Sequence, residues 1–163
     1  MFTPIHRTLG LEPGNLTLEL IEKAIEAGLE ETADFDMKRV VPDLKADKSK
    51  QEVAKDIAAM ANSGGGWIIY GVGEGATGIA ESIYPCEWAA KEEQQMFTIA
   101  RTKIDPPVEG IEFSKIPCGE NPNEGYIVLM HIPDLADTPH FARKGDDAFR
   151  APRRNGQYTV FTT

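Results

Sequence analysis

The chain has 163 residues, 41% hydrophobic and 26% charged, which suffices for one domain with a real core. Its net charge of −9 argues against a protein that coats nucleic acid indiscriminately, because that needs surplus lysine and arginine. No apolar run approaches the roughly 20 residues that span a bilayer. The N-terminus lacks a secretory pattern, and two cysteines, Cys86 and Cys118, without C-x-x-C spacing argue against a disulfide framework or zinc site and for a reducing cytoplasm.

Residues 1–15 carry Pro4, Gly10, Pro13 and Gly14 and read as an irregular lead-in to a single domain over 16–163. From Leu16, apolar residues Leu18, Ile21, Ile25 and Leu29 form a helical stripe, with Asn15 as the expected N-cap and Gly28 near the end. Ala33, Phe35 and Met37 then alternate with Asp34, Asp36 and Lys38, the period of a half-buried strand. Its charged face reads either as a solvated edge guarded by charge or as a site for a metal or a basic partner.

After a polar loop, Ser49 and Glu52 have capping-box spacing, so the central helix is expected to start there. Val53, Ile57, Met60 and Ala61 give it one buried face, and Gly64 to Gly66 stop it. Residues 67–72 have strand composition. The following GVGEGATG makes a hairpin with a returning strand at 77–83. It has no lysine after its glycines and lies between two strands, so it fits neither a P-loop nor a dinucleotide fingerprint, and no nucleotide is expected. A long helix is expected over 87–104, ended by Asp105-Pro106-Pro107. Strands follow at 108–116 and 126–132, then two short strands around a KGDD turn and a basic loop holding Arg153 and Arg154. The order predicts an α+β fold: a mixed sheet with about three packed helices.

No Ser-His-Asp arrangement can be argued from His6, His131 and His140. The carboxylates say more. Glu31, Asp34 and Asp36 lie close together and Glu74 follows the central strand, so pairing of the two strands would let these groups converge. Carboxylate oxygens suit Mg²⁺ or Mn²⁺, which can polarise a phosphodiester. The basic residues concentrate in two clusters, Lys38, Arg39, Lys45, Lys48, Lys50 and Lys55, and Arg143, Lys144, Arg150, Arg153 and Arg154. Each reads as solvated surface charge or as a phosphate-contacting face.

The segments ETADFDMK (31–38), AMANSGGG (59–66), WIIYGV (67–72), Ile104-Asp105-Pro106-Pro107 and AFR (148–150) together resemble the Schlafen core, also described as a divergent AlbA-type domain, over roughly 28–155. The resemblance implies nucleic-acid binding, to DNA or RNA, with Lys38, Lys48, Lys50, Arg143, Arg150, Arg153 and Arg154 as the expected phosphate contacts. In animal Schlafens the same core is an endoribonuclease cleaving tRNA-like structured RNA with three acids and a divalent metal. Glu31 and Asp36 match the acid-x4-acid pair, with aspartate where glutamate is usual. The third acid is expected at or beside the position after Gly-Val; here Gly73 stands there and Glu74 follows. Glu31, Asp36 and Glu74 are thus the expected catalytic and metal-ligating set. Animal Schlafens carry two such lobes, so a homodimer is expected to restore the cleft. A regulatory protein-interaction domain without nucleic acid is the other reading, motivated by the charge of −9.

Overall fold

The computed structural model describes residues 1–144 and 148–162; the side chains of Lys144, Ala148, Phe149 and Thr162 are outside that description, as is the centre of the KGDD turn. The α+β expectation holds, with three substantial helices and mixed strand pairing.

The lead-in is not irregular. Thr3 accepts the Ile5 N–H and, with His6, forms a capping box that starts α1 (Pro4–Leu9). Proline at the first helical position loses no intrahelical bond, which is why a Pro-containing stretch folds as a helix here. Thr17, not Asn15, caps α2 (Leu18–Glu26) by accepting the Leu20 N–H.

The central sheet has the order β1-β2-β7-β6, built from β1 (Phe35–Lys38), β2 (Gly66–Tyr70), β6 (Glu112–Pro117) and β7 (Tyr126–Ile132). β1 runs parallel to β2, with Asp36 opposite Ile68; the other pairs are antiparallel. The expected strand at 67–72 breaks at Gly71: β3 (Val72–Glu74) leaves the sheet and pairs with β4 (Ala80–Ile83) as a hairpin. A second antiparallel sheet, order β10-β9-β8-β5, comprises β5 (Ile104–Asp105), β8 (Phe141–Lys144), β9 (Ala148–Asn155) and β10 (Tyr158–Thr162). The residues expected to form a basic loop therefore lie within β9.

α3 (Asp47–Asn62) is packed between the two sheets, which explains why its C-terminal half is almost wholly buried. It begins two residues before Ser49, and no side chain caps it, so the expected capping box is not formed. α4 (Ala90–Thr102) packs beside it, shorter at both ends than periodicity suggested, because Ile104 joins β5. Ile68, Tyr70, Val128 and Met130 join α3 and α4 in one core cluster. Ile5, Ile21, Phe35, Ile69 and Leu129 form the other, beneath α1 and α2.

The signature at the end of α3 has a structural job. Asn62 is 2% exposed. Its Nδ2 donates to the carbonyls of His140 and Pro152 at 2.9 and 2.8 Å, and its Oδ1 accepts the His140 N–H at 2.8 Å. Ser63 Oγ accepts the Arg154 N–H at 2.7 Å. Gly66 does more than stop the helix: any side chain there would collide with the Asp34 carbonyl, so glycine lets β2 start directly against the β1 approach.

Candidate functional site

β1 is an edge strand, yet its charged face is not solvated. Asp36 is 5% exposed. A buried carboxylate must be paired, and Asp36 is: Lys38 Nζ lies 3.2 Å from Asp36 Oδ2 and 3.2 Å from Asp56 Oδ2, and Arg154 Nη1 lies 3.8 Å from Asp36 Oδ1. Burial opposes the charge on Lys38, but Asp56 and Asp36 outweigh it and hold the ammonium above its ordinary range. Burial raises the Asp56 carboxyl despite Lys38, with Asp36 adding to the effect.

Glu31 enters from the other side. Its N–H donates to the Gly78 carbonyl at 2.9 Å, anchoring it to the turn of the β3–β4 hairpin. Its Oε1 accepts the Met37 N–H at 2.9 Å. Burial pushes the Glu31 carboxyl up to about 8; the Met37 N–H opposes this, and hydrogen bonding to Asp36 with the charges of Asp36 and Glu74 adds to it.

Glu74 reaches the same place through a backbone irregularity. The β3–β4 register shifts between Gly73 and Glu74, and such a bulge re-aims the side chain that follows it. At position 73 a Cβ would sit 2.6 Å from the Tyr84 ring. That ring lies under the Arg39 guanidinium, 3.9 Å from its centroid. The space for a side chain at 73 is thus taken, and the acid stands one residue later.

Glu31, Asp36 and Glu74 therefore line one cleft of about 400 Å³, together with Asp56, Lys38, Lys55 and Arg154. Asp56 was missed in the sequence, although it stands on the Val53–Met60 helical stripe where an apolar residue belongs; that misplaced carboxylate was the available signal. The donor oxygens suit a hard divalent cation in type. Among the described residues, however, no three His, Cys, Asp or Glu side chains are gathered closely enough to hold a metal ion.

The expected phosphate contacts divide. Arg154, with its side chain 4% exposed, is turned inward and donates to the Thr32 carbonyl at 2.9 Å, and Lys38 is committed to two carboxylates. Lys48, Arg143, Arg150 and Arg153 are exposed and Lys50 half-buried, and among the described residues none of these five makes an ion pair. No helix among the described residues is long and apolar enough to cross a membrane.

The molecule is thus an α+β domain in which an edge strand, a bulged hairpin and a buried helix surround an acid-rich cleft. The family model described as Schlafen, AlbA_2 matches residues 31–159, and the chain belongs to that family. Membership supports nucleic-acid binding as its role at the level of the family. The crystal structure of the DIP2311 protein from Corynebacterium diphtheriae is similar with a TM-score of 0.49 and 21% identity, over 80% of this chain and 22% of that one. The chain thus spans less than a quarter of that protein's length. No curated protein matches the sequence.

Proposed function

We propose that this chain binds the phosphate backbone of nucleic acid through exposed cations. The observation that carries the reading is the placement of Lys48, Lys50, Arg143, Arg150 and Arg153 at the surface without carboxylate partners among the described residues, in a chain of net charge −9. Exposed cations without carboxylate partners are free to take phosphate, the polyanion such a surface attracts. Titration of labelled DNA and RNA by fluorescence anisotropy should give binding that weakens steeply between 50 and 200 mM salt, roughly as the 0.7–0.9 power of salt per phosphate contact. Absence of binding at the lower salt would leave the protein-interaction reading in its place.

A second reading is favoured by the crowding of Glu31 against Asp36 and Glu74. Carboxylates lining one cleft favour a cation; Glu31, Asp36 and Glu74 would have to draw closer together than they stand here to hold Mg²⁺ or Mn²⁺, which would supply Lewis-acid polarisation of a phosphodiester. In this endoribonuclease reading Lys38 and Arg154 fix the Asp36 carboxylate, and Asp56 fixes Lys38. EDTA and Asp36→Asn should each abolish cleavage of a structured, tRNA-like RNA. Cleavage that survives both treatments refutes it.

A further inference from the structure

A different part of the surface gathers four lysines around one hollow. The loop before α3 and one face of α4 enclose a hollow of about 390 Å³ lined by Lys45, Lys50, Lys91 and Lys103. No carboxylate lines it among the described residues, and none of the four ammonium groups has an ion-pair partner there. Four like charges around one hollow repel each other and persist only where water or an anion screens them.

The hollow is the middle of a longer trough. At one end it shares Leu44, Lys45, Lys91 and Gln95 with a neighbouring cavity, where Asp43, Glu87 and Glu92 bring carboxylates that bound the cationic stretch. At the other it shares Thr102 and Lys103 with a smaller one of about 190 Å³, completed by Arg143 and by Asp47 and Gln51 of α3. The α4 wall is a stripe at helical spacing: Lys91, Gln95, Thr98 and Thr102. Thr98 and Thr102 donate their hydroxyl protons to carbonyls of the preceding turn and keep oxygen lone pairs outward of that bond. The α3 wall ends in a helix N-terminus with no side-chain cap, where Asp47 in the first turn offsets the helix's partial positive charge.

We propose that this α3–α4 trough is the track along which a nucleic-acid strand lays its phosphates, with Lys45, Lys91 and Lys103 as the principal contacts. It rests on the nucleic-acid-binding reading above and deepens it, since it assigns the backbone to a surface apart from the acid-lined cleft. From Lys91 to Lys103 the wall rises about 18 Å at 1.5 Å per residue. That accommodates several consecutive phosphates of one strand, a chain of phosphates rather than a single one.

The test uses the full chain with fluorescein-labelled single-stranded 20-mers of DNA and RNA. The triple variant Lys45→Glu/Lys91→Glu/Lys103→Glu should bind at least about tenfold more weakly and lower the salt slope by about 2, since three contacts at roughly 0.7 each are lost. The double variant Lys23→Glu/Lys115→Glu, on α2 and β6 and outside every proposed contact, should change affinity less than threefold. Inorganic triphosphate should displace the 20-mer poorly if a chain of phosphates is the ligand; displacement at equal phosphate concentration overturns the extended track. All three lysines are exposed, and the milder Lys→Gln triple variant repeats the measurement should the charge reversal lower the melting temperature. Wild-type affinity in both triple variants, or an equal loss in the Lys23/Lys115 variant, overturns the trough while leaving the binding reading intact. No binding by the unaltered chain at 50 mM salt overturns both.

Discussion

The acid cleft and the α3–α4 trough lie on the same helix and handle charge in opposite ways. In the cleft, Asp36 and Asp56 are nearly buried and are met by Lys38, with Arg154 behind. In the central hollow of the trough, Lys45, Lys50, Lys91 and Lys103 gather without an ion-pair partner among the described residues, and carboxylates stand only toward its two ends. The first arrangement is internally satisfied, and its ions are costly to separate; the second is unsatisfied and open to a ligand. Net charge alone conceals this division, because −9 is an average over both.

Three substitutions probe the contrast. The largest effect is expected for Lys38→Met, which strands Asp36 and Asp56 in a nearly dry site. It should destabilise the fold by about 3 kcal/mol in urea denaturation, and adding Asp56→Leu should recover part of that. If Lys38→Met costs nothing, the cleft is not held together by its ions. Next comes the trough triple variant, expected to lose at least about tenfold in affinity, or about 1.4 kcal/mol, with an unchanged unfolding midpoint. Stability and binding should thus separate between the two regions.

The smallest effect concerns pH. Glu31 titrates near 8 in the fold, against 4.5 ordinarily. A carboxyl whose folded value is raised favours the fold while protonated. That contribution is complete below about 4.5 and is lost as pH rises toward 8. Because Glu31 is half exposed, screening limits the change to about 1 kcal/mol. The melting temperature should fall between pH 5 and 8 in the native chain and fall less in Glu31→Gln. A slope unaltered by the substitution would assign the pH dependence to other groups. Added Mn²⁺ at pH 6 should release protons if the carboxylates bind it.

The fold was legible where periodicity was strong. Residues 126–132 were placed as a strand by their apolar run, and the α3 stripe from Val53 to Ala61 by its spacing. Boundaries failed where local chemistry competed. Thr3 and His6 could form a capping box only with Pro4 read as a helix starter, and Ser49 lost its cap role because α3 starts at Asp47. At the cleft, Glu31, Asp36 and Glu74 were read from family spacing, and pairing of β1 with β2 brings them to one place. Asp56 was not read, because a single acid on a helix looks like solvated charge until the second sheet is known to cover it. The inward turn of Arg154 was equally hidden: a run of arginines suggests a loop, and only the β9–β10 hairpin puts this one under β1. The trough escaped because Lys45, Lys91 and Lys103 are far apart in sequence.

The Asn62 side chain has a consequence for how the protein is made. It closes contacts to residues 78 and 90 positions downstream, so α3 cannot finish burying its end until His140 and Pro152 have left the ribosome. Until then the middle of the chain holds an amide whose partners do not yet exist, and an apolar helix face waiting for its second sheet. Vectorial synthesis therefore leaves α3 half-docked for the time needed to translate about 90 residues, several seconds at about 5–20 residues per second.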